Sequence, residues 1–422
     1  MSHSFPKDFL WGTATAAHQV EGNNTNSDFW VFENVPGSLF KEPSRDACDH
    51  HRLYRDDIRT LSELGFNAYR FSIEWARVEP EPGAFSKAAL YHYRDVLRTC
   101  HEYGITPIVT LHHFTSPRWL MKLGGWADPA TPGRFATYCW TVMRELGSLI
   151  PYVCTINEAN IGVAIRHQGW NLGLHELSAH SVTAPVGDAT PGNGFLGWLK
   201  ASAEELNTTP DRVRDFMFGS QPAIVNESHV RARAAIREVS PRTQVGWTLA
   251  LPDIQAADGG EEMARAMWRE QLGDFVLNCK GDDFVGVQSY TRLLAGPRGR
   301  VMPPAGAEVT QLGYEFYPEG LERVIRATVA AAGVPVIVTE NGIATADDTR
   351  RIEFIGKALE GVRRCVADGL DVRGYIYWSA LDTFEWMDGY EPRFGLIAVD
   401  LDTQRRHIKE SARLLGRIAK GT

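Results

Sequence analysis

Residues Pro335–Gly342, Pro-Val-Ile-Val-Thr-Glu-Asn-Gly, restrict the fold more than any other stretch of the chain. Val336, Ile337 and Val338 are consecutive β-branched residues with no polar residue alternating between them. They read as a strand covered on both faces, the pattern of a parallel sheet flanked by helices. Asn341-Gly342 is a strong turn pair, so Glu340 is expected at the C-terminal tip of a buried strand. Tyr152–Glu158, Tyr-Val-Cys-Thr-Ile-Asn-Glu, repeats the design and sets Glu158 at a second tip. In closed barrels of parallel strands and helices, active sites are built at this end.

The rest of the chain extends the pattern. Strands are expected over about 9–16, 67–75, 105–113, 152–158, 244–251, 283–290, 335–340 and 374–381. Helices are expected over about 49–64, 87–103, 132–146, 221–239, 319–332, 349–368 and 409–419. The helix over 349–368, for example, carries Ile352, Ile355, Leu359, Val362 and Val366 on one face. Eight strands alternating with helices argue for a (β/α)8 barrel, and the 422 residues fit one such domain over 1–422 with long loops. Residues 167–222 are rich in Gly, Asn, Ser, Thr and Pro, with a short helix expected near 195–205. They read as an insertion in the loop after the fourth strand, on the active-site face. A Pro/Gly-rich loop is expected over 296–306.

A net charge of −8 gives no basis for binding nucleic acid or an anionic membrane surface. No apolar run reaches the length of a membrane span. The N-terminus lacks the charged-then-apolar pattern of a secretory signal, so a cytoplasmic location is expected. Cysteines 48, 100, 139, 154, 279 and 365 are scattered without a C-x-x-C pair, which reads as buried thiols rather than a zinc site.

Gln19, Arg70, His113, Asn157, Glu158, Tyr290, Glu340 and Glu385 all fall at or just past strand tips. Each has a structural reading: Arg70 neutralising Glu74, His113 satisfying a core hydrogen bond, Tyr290 as core with a wet hydroxyl. Together, convergent polar groups at one end of one barrel favour a site. Two carboxyl groups on two strand tips suit glycoside hydrolysis with retention. That reaction needs a nucleophile and an acid/base roughly 5 Å apart, one ionised and one protonated near neutral pH. The residues alone leave open which glutamate takes which role. A metal-dependent barrel enzyme would need a ligand cluster; His112-His113 is the one hint of it, and neighbours on a strand point to opposite faces.

Five stretches carry a family resemblance: Phe9–Gly12 through Gln19–Gly22, Tyr69–Ser72, Thr155–Glu158, Val338–Gly342, and the run Trp378-Ser379, Phe384–Trp386 and Arg393–Gly395. In this order they resemble the motifs of glycoside hydrolase family 1, the β-glucosidase-type retaining enzymes, over nearly the whole chain. The resemblance implies a (β/α)8 barrel, Glu158 as acid/base and Glu340 as nucleophile. Arg70 and Tyr290 would then hold Glu340 ionised, and Asn157 would bond the sugar 2-hydroxyl. Gln19, His113, Asn157, Glu385 and Trp386 would bind the non-reducing sugar, with Trp378 as its floor and Phe394 beside it. No cofactor or metal is implied. The implied substrates are small β-glycosides such as cello-oligosaccharides, cleaved from the non-reducing end to release glucose. Glu385 would repel a 6-phosphate, which favours a free 6-hydroxyl. Galactosides or fucosides, transglycosylation on the same site, and a non-catalytic sugar-binding relative are the alternatives; the last would be expected to lack a catalytic glutamate. Three positions depart from the family pattern: Ala159 for Pro, which predicts a looser turn after Glu158, Gln288 for Asn, and Phe114 for Trp. Asn160, Trp170 and the 296–306 loop are expected to shape the aglycone side.

Overall fold

The computed structural model describes residues 5–163, 194–215 and 221–421. Eight parallel strands form the barrel: β1 Leu10–Ala14, β2 Ala68–Ser72, β3 Thr106–Thr110, β4 Tyr152–Cys154, β5 in two pieces (Gln244–Gly246 and Thr248–Ala250), β6 Val285–Gln288, β7 Val336–Glu340 and β8 Val372–Trp378. Each pairs with its sequence neighbours, and β1 pairs with β8, Leu10 opposite Gly374. The first piece of β5 pairs with β4 and the second with β6. The break falls at Trp247, whose buried ring stacks on His229 at 4.2 Å.

The unbroken apolar runs follow from two cores. Leu10, Ala68, Ile108, Cys154, Phe284, Ile337 and Ile376 fill the barrel interior. Val109, Val153, Val245, Val285, Val336 and Val338 face the helices around it. Alternate residues of one strand thus reach different cores, and both demand apolar side chains. The helices end where their chemistry says. Ser86 accepts a hydrogen bond from Ala89 N at 3.2 Å to open Lys87–Glu102. Gly65 closes His50–Leu64 with a φ of 113°.

The expected strands exist but are shorter, because ladder pairing stops where the chain turns into the site: β4 ends at Cys154, four residues before Glu158. The loop expected over 296–306 is partly ordered as strand. Arg292–Gly296 pairs with Gly299–Val301 and with Asp253–Ala256 in a small separate sheet. Short helices at Ala17–Val20, Asp28–Asn34, Trp75–Val78 and Arg118–Lys122 had no counterpart in the sequence reading, since one to two turns are too short to show periodicity. The helical stretch from Glu261 to Asn278, passing through a π-helical turn at Arg269–Gly273, also went unread. Within the insertion, a helix runs over Gly194–Glu205 and a short one over Pro210–Arg214. Trp170 and most of the remaining insertion lie outside the described residues. Among the described residues, all six cysteines are buried thiols and no helix is long and apolar enough to cross a membrane.

Gly246 closes the first piece of β5 because a Cβ there would collide with the Phe284 carbonyl oxygen. Gly246→Ala is therefore expected to destabilise the barrel by roughly 1–3 kcal/mol, measured as a lower midpoint in chemical denaturation; an unchanged midpoint would contradict this packing.

Candidate active site

Arg70 leaves β2 toward the barrel axis and is completely buried. A guanidinium there needs partners on every side, and the neighbouring strands supply them. Its Nε donates to Thr110 Oγ1 on β3 at 3.1 Å. Its Nη2 donates to Asn157 Oδ1, and its Nη1 forms a short ion pair with Glu340 at the tip of β7. Tyr290, just past β6, donates its hydroxyl to the other Glu340 oxygen at 2.6 Å. Both carboxylate oxygens of Glu340 are thus engaged. Glu74 instead accepts from Thr115 at 2.7 Å, so Arg70 does not serve to neutralise it.

Asn157 and Glu158 lie on the turn after β4. The Asn157 Oδ1 accepts from Arg70, from Thr248 Oγ1 at 3.1 Å and from Gln288 Nε2 at 2.9 Å. Three donors on one oxygen fix the amide orientation. Gln288, one methylene longer than asparagine, reaches Asn157. Glu158 has a left-handed backbone, φ 43°. No looseness follows from Ala159: it is buried, and its N–H donates to Thr248 O at 3.0 Å, a bond proline could not make.

The opposite wall comes from β1, β3 and β8. His113 stacks on Trp378 at 5.7 Å and on Trp386 at 6.2 Å, with interplanar angles of 19° and 14°. Burial, with Arg70 and His112 adding to it, holds its imidazole neutral. His112 turns away to Ser116 and Trp126. Glu385 accepts from Thr383 at 2.7 Å and from Trp378 Nε1 at 3.4 Å, while burial pushes its carboxyl up to about 8. Gln19 sits in the helical turn Ala17–Val20 and donates to Phe384 O at 2.7 Å. Phe394 packs edge-on against Tyr290. A cleft of about 690 Å³, open to solvent, separates the two walls and is lined by Glu158, Glu340, His113, Trp378, Glu385 and Phe394 among others.

Among the described residues, the buried atoms Gln19 Oε1, His113 Nδ1, Asn157 Nδ2 and Gln288 Oε1 have no hydrogen-bond partner. Such groups are uncommon in folded interiors; these four, among others elsewhere in the fold, belong to residues at or next to the cleft wall. A ligand bearing several hydroxyl groups would satisfy them.

Burial raises both cleft glutamates. For Glu340, Arg70 and Tyr290 pull against burial. For Glu158 the charge of Glu340 adds to burial, against Arg70 alone, and its carboxyl is held well above the usual range. Glu340 therefore ionises first and Glu158 keeps its proton. One carboxylate beside one carboxylic acid is the pairing needed for nucleophilic attack with proton donation.

Of the residues expected at the site, Glu158, Glu340, His113, Tyr290, Trp378, Glu385, Trp386 and Phe394 line the cleft; Arg70 bonds to Glu340, Asn157 to Arg70, and Gln19 to the carbonyl of Phe384, the neighbour of Glu385. Leu312 and Tyr314 also line it, as do Ile161 and Asp388; they went unread because they stand in irregular segments or a short turn. Thr248 was missed because threonine is ordinary strand chemistry. Asn160 spends its amide on backbone, donating to Ala250 O and Gln271 O at 2.8 and 3.0 Å. It does not reach the aglycone side through that amide. No group of three or more His, Cys, Asp or Glu stands together as a metal site among the described residues.

The Glycosyl hydrolase family 1 model matches residues 1–183 and 300–421. The chain is similar to β-glucosidase A of Thermotoga maritima, 30% identical over 99% of this chain and 98% of that one. It is also 30% identical to the 1,4-β-D-glucan glucohydrolase of Thermotoga neapolitana over 96% of each chain. The crystal structure of β-glycosidase BGL167 superposes with a TM-score of 0.90 and 49% identity, covering 99% of this chain and 97% of that one.

Because the folded state raises the Glu158 pKa, the folded protein binds the proton more tightly than the unfolded chain, and stability is lost as pH rises above the unfolded value. Glu158→Gln, which cannot ionise, is expected to melt higher than the parent at pH 7 and to gain little at pH 4; an equal gain at both would contradict the linkage.

Proposed function

The chain belongs to glycosyl hydrolase family 1, and from that premise we propose that it hydrolyses terminal non-reducing β-D-glucosyl residues of oligosaccharides or glucosides with retention, through a covalent glycosyl-enzyme. The observation that carries this reading is the asymmetry of the two cleft glutamates. Glu340 is gripped by Arg70 and Tyr290, whereas Glu158 stays protonated beside it. Membership makes the protein a glycoside hydrolase.

The Glu340 carboxylate attacks the anomeric carbon as the bond to the leaving oxygen breaks, and Glu158 gives that oxygen its proton. Forming the glycosyl ester removes the charge of Glu340. The repulsion that adds to burial in raising the Glu158 pKa goes with it, so Glu158 becomes more acidic and, once ionised, serves as the base. It takes a proton from water as the water oxygen attacks the anomeric carbon, releasing the sugar and regenerating the Glu340 carboxylate. Asn157, its oxygen held by three donors, has Nδ2 left to donate to the 2-hydroxyl, a contact that strengthens in the transition state.

Trp378 would be the floor of the glycone subsite. Gln19, His113, Glu385 and Trp386 would meet the remaining hydroxyls. Glu385, hydrogen-bonded to Thr383 and Trp378 and, among the described residues, to no cation, offers a 6-phosphate no positive partner and supports a free 6-hydroxyl. The name of the Thermotoga neapolitana glucohydrolase supports short β-1,4-glucans such as cello-oligosaccharides as substrates.

The assignment of Glu340 is tested with a 2-deoxy-2-fluoro-β-glucoside carrying an activated leaving group, followed by peptide mapping. A fluoroglucosyl adduct on Glu340 is expected, and an adduct on another residue would overturn its role. For Glu158→Ala, kcat/KM on cellobiose should fall by roughly 10²–10⁴-fold. A dinitrophenyl glucoside, whose leaving group needs no proton, should be largely spared on kcat/KM, and azide should restore turnover. Equal losses without azide rescue would remove Glu158 from the acid/base role.

A further inference from the structure

Thr248 opens the second piece of β5, directly after the break at Trp247, and is completely buried. It meets four consecutive residues across the barrel wall. Its N–H donates to Ile156 O at 3.1 Å, and its carbonyl accepts the Ala159 N–H at 3.0 Å. Its hydroxyl accepts the Glu158 N–H at 3.0 Å and donates to Asn157 Oδ1 at 3.1 Å. A hydroxyl has a single proton to give, and the amide network takes it, leaving a lone pair for Glu158.

That lone pair meets the residue that most needs holding. Glu158 has a left-handed backbone, a conformation that a non-glycine residue keeps only when its surroundings impose it. The bonds from Glu158 N and Ala159 N to Thr248 bracket the Glu158 residue itself. Thr248 has its own seat: a Cβ at Gly286 would come within 2.6 Å of its methyl carbon, so the glycine on β6 leaves the space that Thr248 fills.

We propose that Thr248 is a positioning residue for proton transfer. Its hydroxyl holds the Glu158 backbone in the turn that aims the carboxyl at the leaving oxygen, and ties that aim to the amide of Asn157. The inference rests on the reading of Glu158 as acid/base. A merely structural Thr248 would affect all substrates alike. A positioning Thr248 affects those that need a proton.

The test compares Thr248→Val and Thr248→Ser in the full chain on cellobiose and on a dinitrophenyl β-glucoside, with Glu158→Ala alongside. T248V is expected to lose roughly 100-fold in kcat/KM on cellobiose, the scale of a displaced catalytic group, and less than about tenfold on the dinitrophenyl substrate. T248S, which keeps the hydroxyl, should recover most of the cellobiose loss. The rate of fluoroglucosyl trapping at Glu340 should follow the dinitrophenyl result. Equal loss on both substrates, no loss on cellobiose, or no recovery with serine would overturn the proposal. Should T248V not fold, T248A carries the same comparison; if neither folds while T248S does, the hydroxyl serves stability and the proposal falls. If Glu158→Ala itself shows no split between substrates, the acid/base reading fails; if it does and T248V does not, the failure is that of Thr248 alone.

Discussion

The site depends on one buried cation. Arg70 sits at the barrel axis, and its guanidinium joins β2 to β3, to the turn after β4 and to β7 through Thr110, Asn157 and Glu340. Placing a charge there is unfavourable unless every donor is used, so the surrounding residues are not interchangeable. The same charge separates two otherwise similar carboxyl groups. Glu340 receives an ion pair and the Tyr290 hydroxyl, while Glu158 receives the repulsion of Glu340. Without Arg70 only the Tyr290 hydroxyl would favour ionisation at Glu340 over Glu158, and the division of labour proposed for them would lose most of its physical basis.

A second layer turns this electrostatic division into geometry. The Asn157 oxygen collects three donors, and its nitrogen is left facing the need for an acceptor. Thr248 extends the network to the backbone of Glu158. Across the cleft, ring stacking does comparable work: His113 lies near-parallel to both Trp378 and Trp386. Polar networks buried to this degree leave little freedom, because each unmade bond is costly. The cleft is thus rigid on both walls and unsatisfied where a polyhydroxylated ligand would lie.

Much of this was legible in the residues, for physical reasons that differ from case to case. Glu340 stood out because a strand buried on both faces has no reason to end in a carboxylate. The barrel followed from eight apolar runs alternating with amphipathic helices. The roles of Glu158 and Glu340 could not be read that way, since both occupy the same kind of strand tip. Only the family motifs separated them in sequence; in the structure Arg70 pairs with Glu340, and the proposed roles rest on that asymmetry. Ala159 looked like a weakened turn, but main-chain hydrogen bonding is invisible in a sequence. Thr248 was hidden more thoroughly: a threonine in a strand is what any strand would carry, and its importance lies wholly in what stands opposite. Gln19 and Trp386 sit on helical turns of three or four residues, shorter than any periodic signal.

The ring is closed by β1 against β8, and Thr13 Oγ1 reaches Tyr377 O while Gln19 reaches Phe384 across 364 and 365 residues of chain. In kinetic terms these are among the most distant encounters in the fold, and loop-closure entropy delays them relative to local contacts. The same encounters bring Gln19, from the first βα unit, against Phe384, from the last. That wall of the cleft therefore cannot exist in a chain whose β1 and β8 have not met. On the proposed reading, recognition of a ligand depends on barrel closure, and a chain without β8 has no partial version of the site.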